Sequence, residues 1–242
     1  MTPPAGQRPA PARPLKGTPD ADVQPVDAHL KPPQQERSRQ SLERALDAAV
    51  ALLVERGSDG FTLAEVAVRA DVSIGSIYGR VKSKDDLLRS VHARELERIG
   101  QETLKEFGRF KKDGGDLEQA ATFAVAAAAK VLRKNAGILG PFMLRANSDS
   151  VIAKMGAASH SSMEAQFTEV LMSRSASMAH QDPLAAVHWT FTVVYSVMAR
   201  YLGLGSTQEA AGQGDWHQML TNLTDMTISF LSNPPSKAKS SR

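Results

Sequence analysis

Residues 62–84 read TLAEVAVRADVSIGSIYGRVKSK, and this stretch decides the fold of the 242-residue chain. Thr62 followed three positions later by Glu65 is a capping box: the hydroxyl accepts an amide proton at the helix start and the carboxylate reaches back to the cap. Phe61 and Val66 stand where a hydrophobic staple pins that start. Asp71-Val72-Ser73 cuts the helix short, and a second begins at Ser73 and runs through Ile77 and Tyr78. Ser83 with Asp86 opens another by the same capping logic. A short capped helix, a tight turn and a second short helix make a helix-turn-helix unit, whose second helix can enter a DNA major groove. Ala67 and Val72 suit close contact between the two helices. Ile77 packs inward, leaving Ser73, Gly75, Ser76 and Tyr78 outside or at the groove edge.

Outward from this unit the signals stay helical. Leu42, Ala45, Leu46, Ala49, Val50 and Leu53 recur at spacings of three and four, predicting about five turns that end near Gly57. The helix opened at Ser83 continues to about Phe110. Beyond the break at 111–115, helical stretches are predicted at 116–134, 137–146, 149–178, 183–204 and 215–232. Gly, Asn, Asp-Pro or Gly-Gln-Gly punctuation divides them. Sustained two-residue alternation rich in β-branched residues is missing, so the fold class is all-α. The first 33 residues hold nine of the 13 prolines and almost no large apolar side chains. Such a segment cannot offset its ordering entropy and reads as a disordered extension, as does the basic tail 233–242.

Composition bounds the function. There is no cysteine, which excludes disulfides, thiol catalysis and thiolate metal sites and fits a reducing cytoplasm. The longest apolar run, 120–129, is about half the ~20 residues a membrane-spanning helix needs, and the N-terminus lacks the apolar core of a signal peptide. Net charge is +3, but residues 34–94 carry 10 basic and 9 acidic groups, and the surplus sits in Lys237, Lys239 and Arg242. Bulk charge therefore says nothing about DNA. The stretch 73–84 does: it contains Arg80, Lys82 and Lys84 and no acid.

The chain resembles the N-terminal domain of the TetR family of transcriptional regulators over roughly residues 37–92. The likeness rests on Glu55-Arg56-Gly57, Thr62, Ala67, Ala70, Val72-Ser73, Gly75-Ser76-Ile77-Tyr78, Ser83-Lys84 and Asp86-Leu87-Leu88, in the family's order and spacing. The resemblance implies a three-helix DNA-binding domain at 34–92 and a larger helical effector-binding and dimerisation domain at 93–232. It places Thr62, Ser76, Tyr78 and Lys84 at positions that hold phosphates, in keeping with hydroxyls and a helix N-terminus as phosphate ligands. Arg80 stands where His is common, and Val81 where Phe is usual, which lightens the packing beneath the second helix. Ile74, Gly75, Ser76 and Gly79 are the residues placed to face base edges. None offers a bidentate fork, so shape readout and Arg37 or Arg39, just before the first helix, are expected to add specificity.

In the larger domain, the resemblance points to 183–204 and 215–232 as the pairing helices of a homodimer. Val187, Phe191, Val194 and Met198 form one apolar stripe, and Met219, Leu223, Met226 and Phe230 another. Phe123, Phe142, Met143, His160, Met163, Phe167, Trp189 and Tyr195 are candidates to line a pocket for a small apolar effector, flexible Met beside aromatics suiting such a guest. His160 and Glu164, one helical turn apart, read as a surface pair, since no third metal ligand follows from the spacing. No nucleophile elbow or phosphate loop is present, and no enzyme, cofactor or metal is expected. The reading is a cytoplasmic, ligand-responsive repressor on a palindromic operator. It competes with a DNA-binding regulator that has no effector and only dimerises or recruits a partner protein. A third possibility is an all-α enzyme or scaffold with an incidental helix-turn-helix. A packed second domain would favour the effector-free regulator, and an apolar cavity the repressor.

Overall fold

The computed structural model describes residues 34–111, 115–205 and 211–233. The Pro-rich extension and the basic tail beyond Asn233 lie outside the described residues. Among the described residues the regular structure is helical: α1 Gln34–Arg56, α2 Leu63–Ala70, α3 Ile74–Tyr78, α4 Lys84–Phe107, α5 Leu117–Arg145, α6 Ser150–Met172, α7 Pro183–Tyr201 and α8 Trp216–Ser232. A 3-10 turn, Ser175–Ser177, follows α6.

Helix starts are fixed by side-chain caps. Both halves of the Thr62–Glu65 box are formed, and Ser73, Ser83, Asp116, Asp149, Asp182 and Asp215 each accept an amide proton at the start of α3 through α8. Asp71 ends α2 in the left-handed region at φ 50°, a conformation Asp tolerates better than most residues. α1, α2, α3 and the start of α4 share a core in which Leu53, Val66, Ile77, Leu87 and Leu88 are all but sealed.

The predicted helix break between 134 and 137 does not occur. α5 runs unbroken for 29 residues, through Asn135, Gly137 and Pro141. Asn135 is buried; its amide donates to the Val131 carbonyl at 2.8 Å, and its Oδ1 accepts from Arg98 at 2.7 Å, so its polar group is satisfied without leaving the helix. Likewise the long stretch predicted at 149–178 ends as α-helix at Met172.

α5 forms the axle of the larger domain, packed against α4, α6, α7 and α8 and also against α1. Its first half presents Ala120, Ala121, Ala124, Ala127 and Ala128, all nearly inaccessible, which lets neighbouring helices approach closely. At Gly137 an added Cβ would lie 3.4 Å from Val54 Cγ1, so α1 closes on α5 at a residue without a side chain. Lys130–Glu106 and Lys134–Glu102, both at 2.7 Å, tie α5 along α4, and Arg94 of α4 reaches Asp47 of α1 at 2.8 Å.

Candidate functional site

The outer face of α3 and its flanks carries Ser73, Ile74, Gly75, Ser76, Tyr78, Gly79, Arg80 and Lys82, all exposed, while Ile77 is buried beneath. Tyr78 is 57% exposed and stands off the surface. Ser73 Oγ and Ser76 Oγ lie 2.8 Å apart, and Ser73 also accepts the Ser76 amide at 3.1 Å. Thr62 is exposed, its hydroxyl donating to Glu65 at 2.9 Å. Val81 is buried, filling the place beneath α3 with a smaller side chain than an aromatic ring.

Three of the expected cations are engaged within the fold. Arg80 donates from Nε and a terminal nitrogen to Ser38 Oγ at 2.8 and 2.6 Å, bracing the end of α3 against the start of α1. Lys84 donates to the Asp59 carbonyl and lies 5.0 Å over the Phe61 ring. Arg37 and Arg39 lie within the first two turns of α1 and not ahead of it; Arg39 is held by Glu36 at 2.8 Å, whereas Arg37 is exposed beside it. Ser38 and Arg44, which donates to the Asp71 carbonyl at 3.3 Å, join this face without any signal in sequence spacing.

Charge pairing explains how a neutral domain presents a positive face. Of the nine carboxylates in 34–94, Glu36, Glu43, Asp47, Glu55, Asp59, Glu65, Asp85 and Asp86 each pair with an arginine, leaving Asp71. The Arg56 guanidinium, with the Thr62 amide and hydroxyl, pulls the Glu65 carboxyl down to about 2. Arg37, Arg80, Lys82 and Lys84 have no carboxylate partner among the described residues, so their charge remains for an anion.

A second cluster joins the two halves of the molecule. Arg145, in the last turn of α5, pairs with Asp59 in the α1–α2 loop and with Asp85 at the start of α4, the latter at 2.6 Å. Asp149, the N-cap of α6, is nearly buried and accepts from Arg89 of α4 at 3.0 Å. The turn from α5 to α6 is thereby bound to the helix-turn-helix unit.

Beside that turn lies a cavity of about 290 Å³ between α4, α5 and α6, with Tyr195 of α7 on its wall. Of the expected lining residues, Phe142, Met143, His160, Met163 and Tyr195 face it. Three do not. Phe123 packs on Phe107 and Phe110, Phe167 is sealed against Phe191, and Trp189 is 59% exposed on the outside of α7. The spacing of aromatics marked apolar helix faces without telling which face turned inward. The cavity adds His92, Leu96 and Ile99 from α4, and Ala153, Gly156 and Ala157 from α6. The small residues of α6, spaced three and four apart with His160, were the sequence signal for its missing wall. His160 is no surface partner of Glu164: its ring packs against Tyr195 at 4.5 Å, and Glu164 accepts from His188 at 2.7 Å.

The apolar stripe on α7 is core. Val187, Phe191, Val194 and Met198 are fully buried within one chain, because α5 and α6 pack across them. The outward face carries Trp189 and Val197, and α8 adds Met226 with half-buried Met219; Leu223 is buried and Phe230 half-buried against His180. Among the described residues no group of three His, Asp or Glu side chains could hold a metal ion, and no helix is long and apolar enough to cross a membrane.

The model for bacterial regulatory proteins of the tetR family matches residues 45–91. The HTH-type transcriptional repressor KstR of Mycolicibacterium smegmatis is 34% identical over 100 residues, covering 41% of this chain and 47% of that protein. KstR of Mycobacterium tuberculosis is 30% identical over 148 residues, covering 61% of this chain and 63% of that one. The chain thus spans less than two thirds of the length of these relatives. A TetR-family transcriptional regulator of solved structure, from Mesorhizobium loti, superposes with a TM-score of 0.63 at 16% identity, covering 81% of this chain and 97% of its own, a likeness of fold.

Proposed function

Since the chain belongs to the TetR family of bacterial regulatory proteins, we propose that it is a transcriptional repressor that binds a two-fold symmetric operator as a homodimer and releases it when a small apolar molecule fills its cavity. The observation that carries this reading is the outward, acid-free face from Ser73 to Lys84, on a domain whose carboxylates are occupied by arginines. Thr62, Ser76, Tyr78, Lys82 and Arg37 serve phosphates, with Lys84 and Arg80 adding charge from their braced positions. Ile74, Gly75 and Gly79 meet base edges, where the lack of a bidentate fork leaves room for shape readout. Repression is supported by the name of the relatives above, which are repressors.

One five-residue helix reaches few base pairs, so a second copy supplies the other half-site. Trp189, Val197 and Met226 on the outside of α7 and α8 support pairing there. The cavity favours an effector-responsive protein over a regulator that only dimerises. α4 begins at the cap beside α3 and forms a wall of that cavity, so a guest that parts α4 from α6 moves the recognition helix. The expected coupling is about 1–3 kcal/mol.

Selection of duplexes from a random pool by the full chain should enrich an inverted repeat. A Ser76→Ala, Tyr78→Ala protein, altered only at exposed positions, should enrich nothing while keeping its helical circular dichroism. A wild-type pool without enrichment would sink the reading.

A further inference from the structure

The cavity lining is unusual in its charges. Its polar side chains are His92, Ser159, His160 and Tyr195, and it has no Lys, Arg, Asp or Glu. Ser159, His160 and Tyr195 are half-buried. His92 is 3% exposed, stacked 4.4 Å from the Phe142 ring, and its Nδ1 is sealed without a hydrogen-bond partner. A sealed N–H is costlier than a sealed lone pair, so the neutral ring keeps its proton on Nε2. The nitrogen left to serve a guest is then a donor. Just past His92, between the lining residues Ala146 and Ile152, sits Asp149. It belongs to a cluster in which Asp59, Asp85, Asp86 and Asp149 meet Arg89, Arg145 and Lys84, the last on the Asp59 carbonyl. Four carboxylates face three cations, so this end of the cavity borders a small excess of negative charge.

We infer that the cavity takes an uncharged, mostly apolar molecule anchored by one oxygen that accepts a hydrogen bond from the His92 ring, and that it turns away carboxylates and phosphates. The inference rests on the ligand-responsive reading above and sharpens it. A bound anion would lose its water, gain no cation, and lie near the Asp149 cluster. A ketone, ester or alcohol oxygen pays far less to desolvate and supplies the acceptor that the imidazole lacks.

Titration calorimetry of the full chain with undecan-2-one and with decanoate separates these cases, since flexible chains of similar length adapt equally to the walls. At about pH 7.5 the acid is ionised. The ketone should bind, and decanoate at least about tenfold more weakly. His92→Phe keeps a ring on Phe142 and removes the donor; it should weaken the ketone by about three- to tenfold and leave decanoate unchanged. Equal or tighter binding of decanoate, a His92→Phe protein that holds the ketone as well as wild type, or no ketone binding would each overturn the inference. The wild-type comparison stands even if the variant fails to fold. Ketone that binds as expected yet leaves affinity for the selected operator unchanged would instead overturn the ligand-responsive reading and spare this one.

Discussion

His92 is held at about 4 because burial penalises the imidazolium, with the Asp149 carboxylate opposing that shift. Its folded value lies under the ordinary histidine value of about 6.5, so the unfolded chain takes up the proton first. Stability from keeping the ring neutral is complete above about pH 6.5 and is lost as pH falls toward about 4, up to about 3 kcal/mol. Urea midpoints measured across that window should fall with pH in wild type and fall less steeply in His92→Phe; parallel slopes would contradict the assignment. The same residue shows what sequence could not give. A lone His on a long amphipathic helix carries no sign of its neighbours, and the cavity is assembled from residues of four helices. Arg80 and Lys84 were legible as cations of the recognition face, but their braces were not. Ser38 and the Asp59 carbonyl lie 42 and 25 positions away along the chain.

At the level of elements, local chemistry was the legible part. The starts of α2, α3 and α4 follow from Thr62, Ser73 and Ser83, because a cap bonds only to residues two or three positions on. The continuity of α5 was hidden, because Asn135 is kept helical by Arg98 of another helix. The α7 stripe was legible as apolar, yet whether it faces a second copy or its own core depends on where α5 and α6 lie. On the proposed reading, the α5–α6 turn joins α4 in linking the cavity to the DNA-binding unit, because its ion pairs bind it to the α1–α2 loop and to α4. Arg145→Gln removes the guanidinium shared by Asp59, Asp85 and Asp149, at a cost of about 1–3 kcal/mol for a pair of this partial burial. Fluorescence anisotropy on the selected operator, with and without undecan-2-one, should show the ligand effect shrinking toward nothing in this protein. A full ligand effect would place the coupling in α4 alone.

For the whole molecule, pairing and salt dependence answer one another. Trp189→Glu with Val197→Glu puts charge on the outward face of α7, where neither side chain supports the core of its own chain. Sedimentation should show a monomer. A dimer that neutralises ~6–8 phosphates loses affinity with a log–log salt slope near −6, and the monomer should show about half that slope. A wild-type slope in the altered protein would mean that the pairing surface lies elsewhere.

The alanine face of α5 has a consequence for how such a protein diversifies. Ala120, Ala121, Ala124, Ala127 and Ala128 sit where neighbouring helices leave no room. A larger side chain there overpacks, at about 1–3 kcal/mol, a large share of a typical domain's margin. The cavity wall on α6 is different: at Gly156 an added Cβ would meet nothing within 4 Å. A larger side chain that reshapes the cavity is therefore tolerated at Gly156 of α6, whereas one along the first half of α5 is not. If the proposed effector response holds, selection for a different guest leaves the axle fixed and changes the wall.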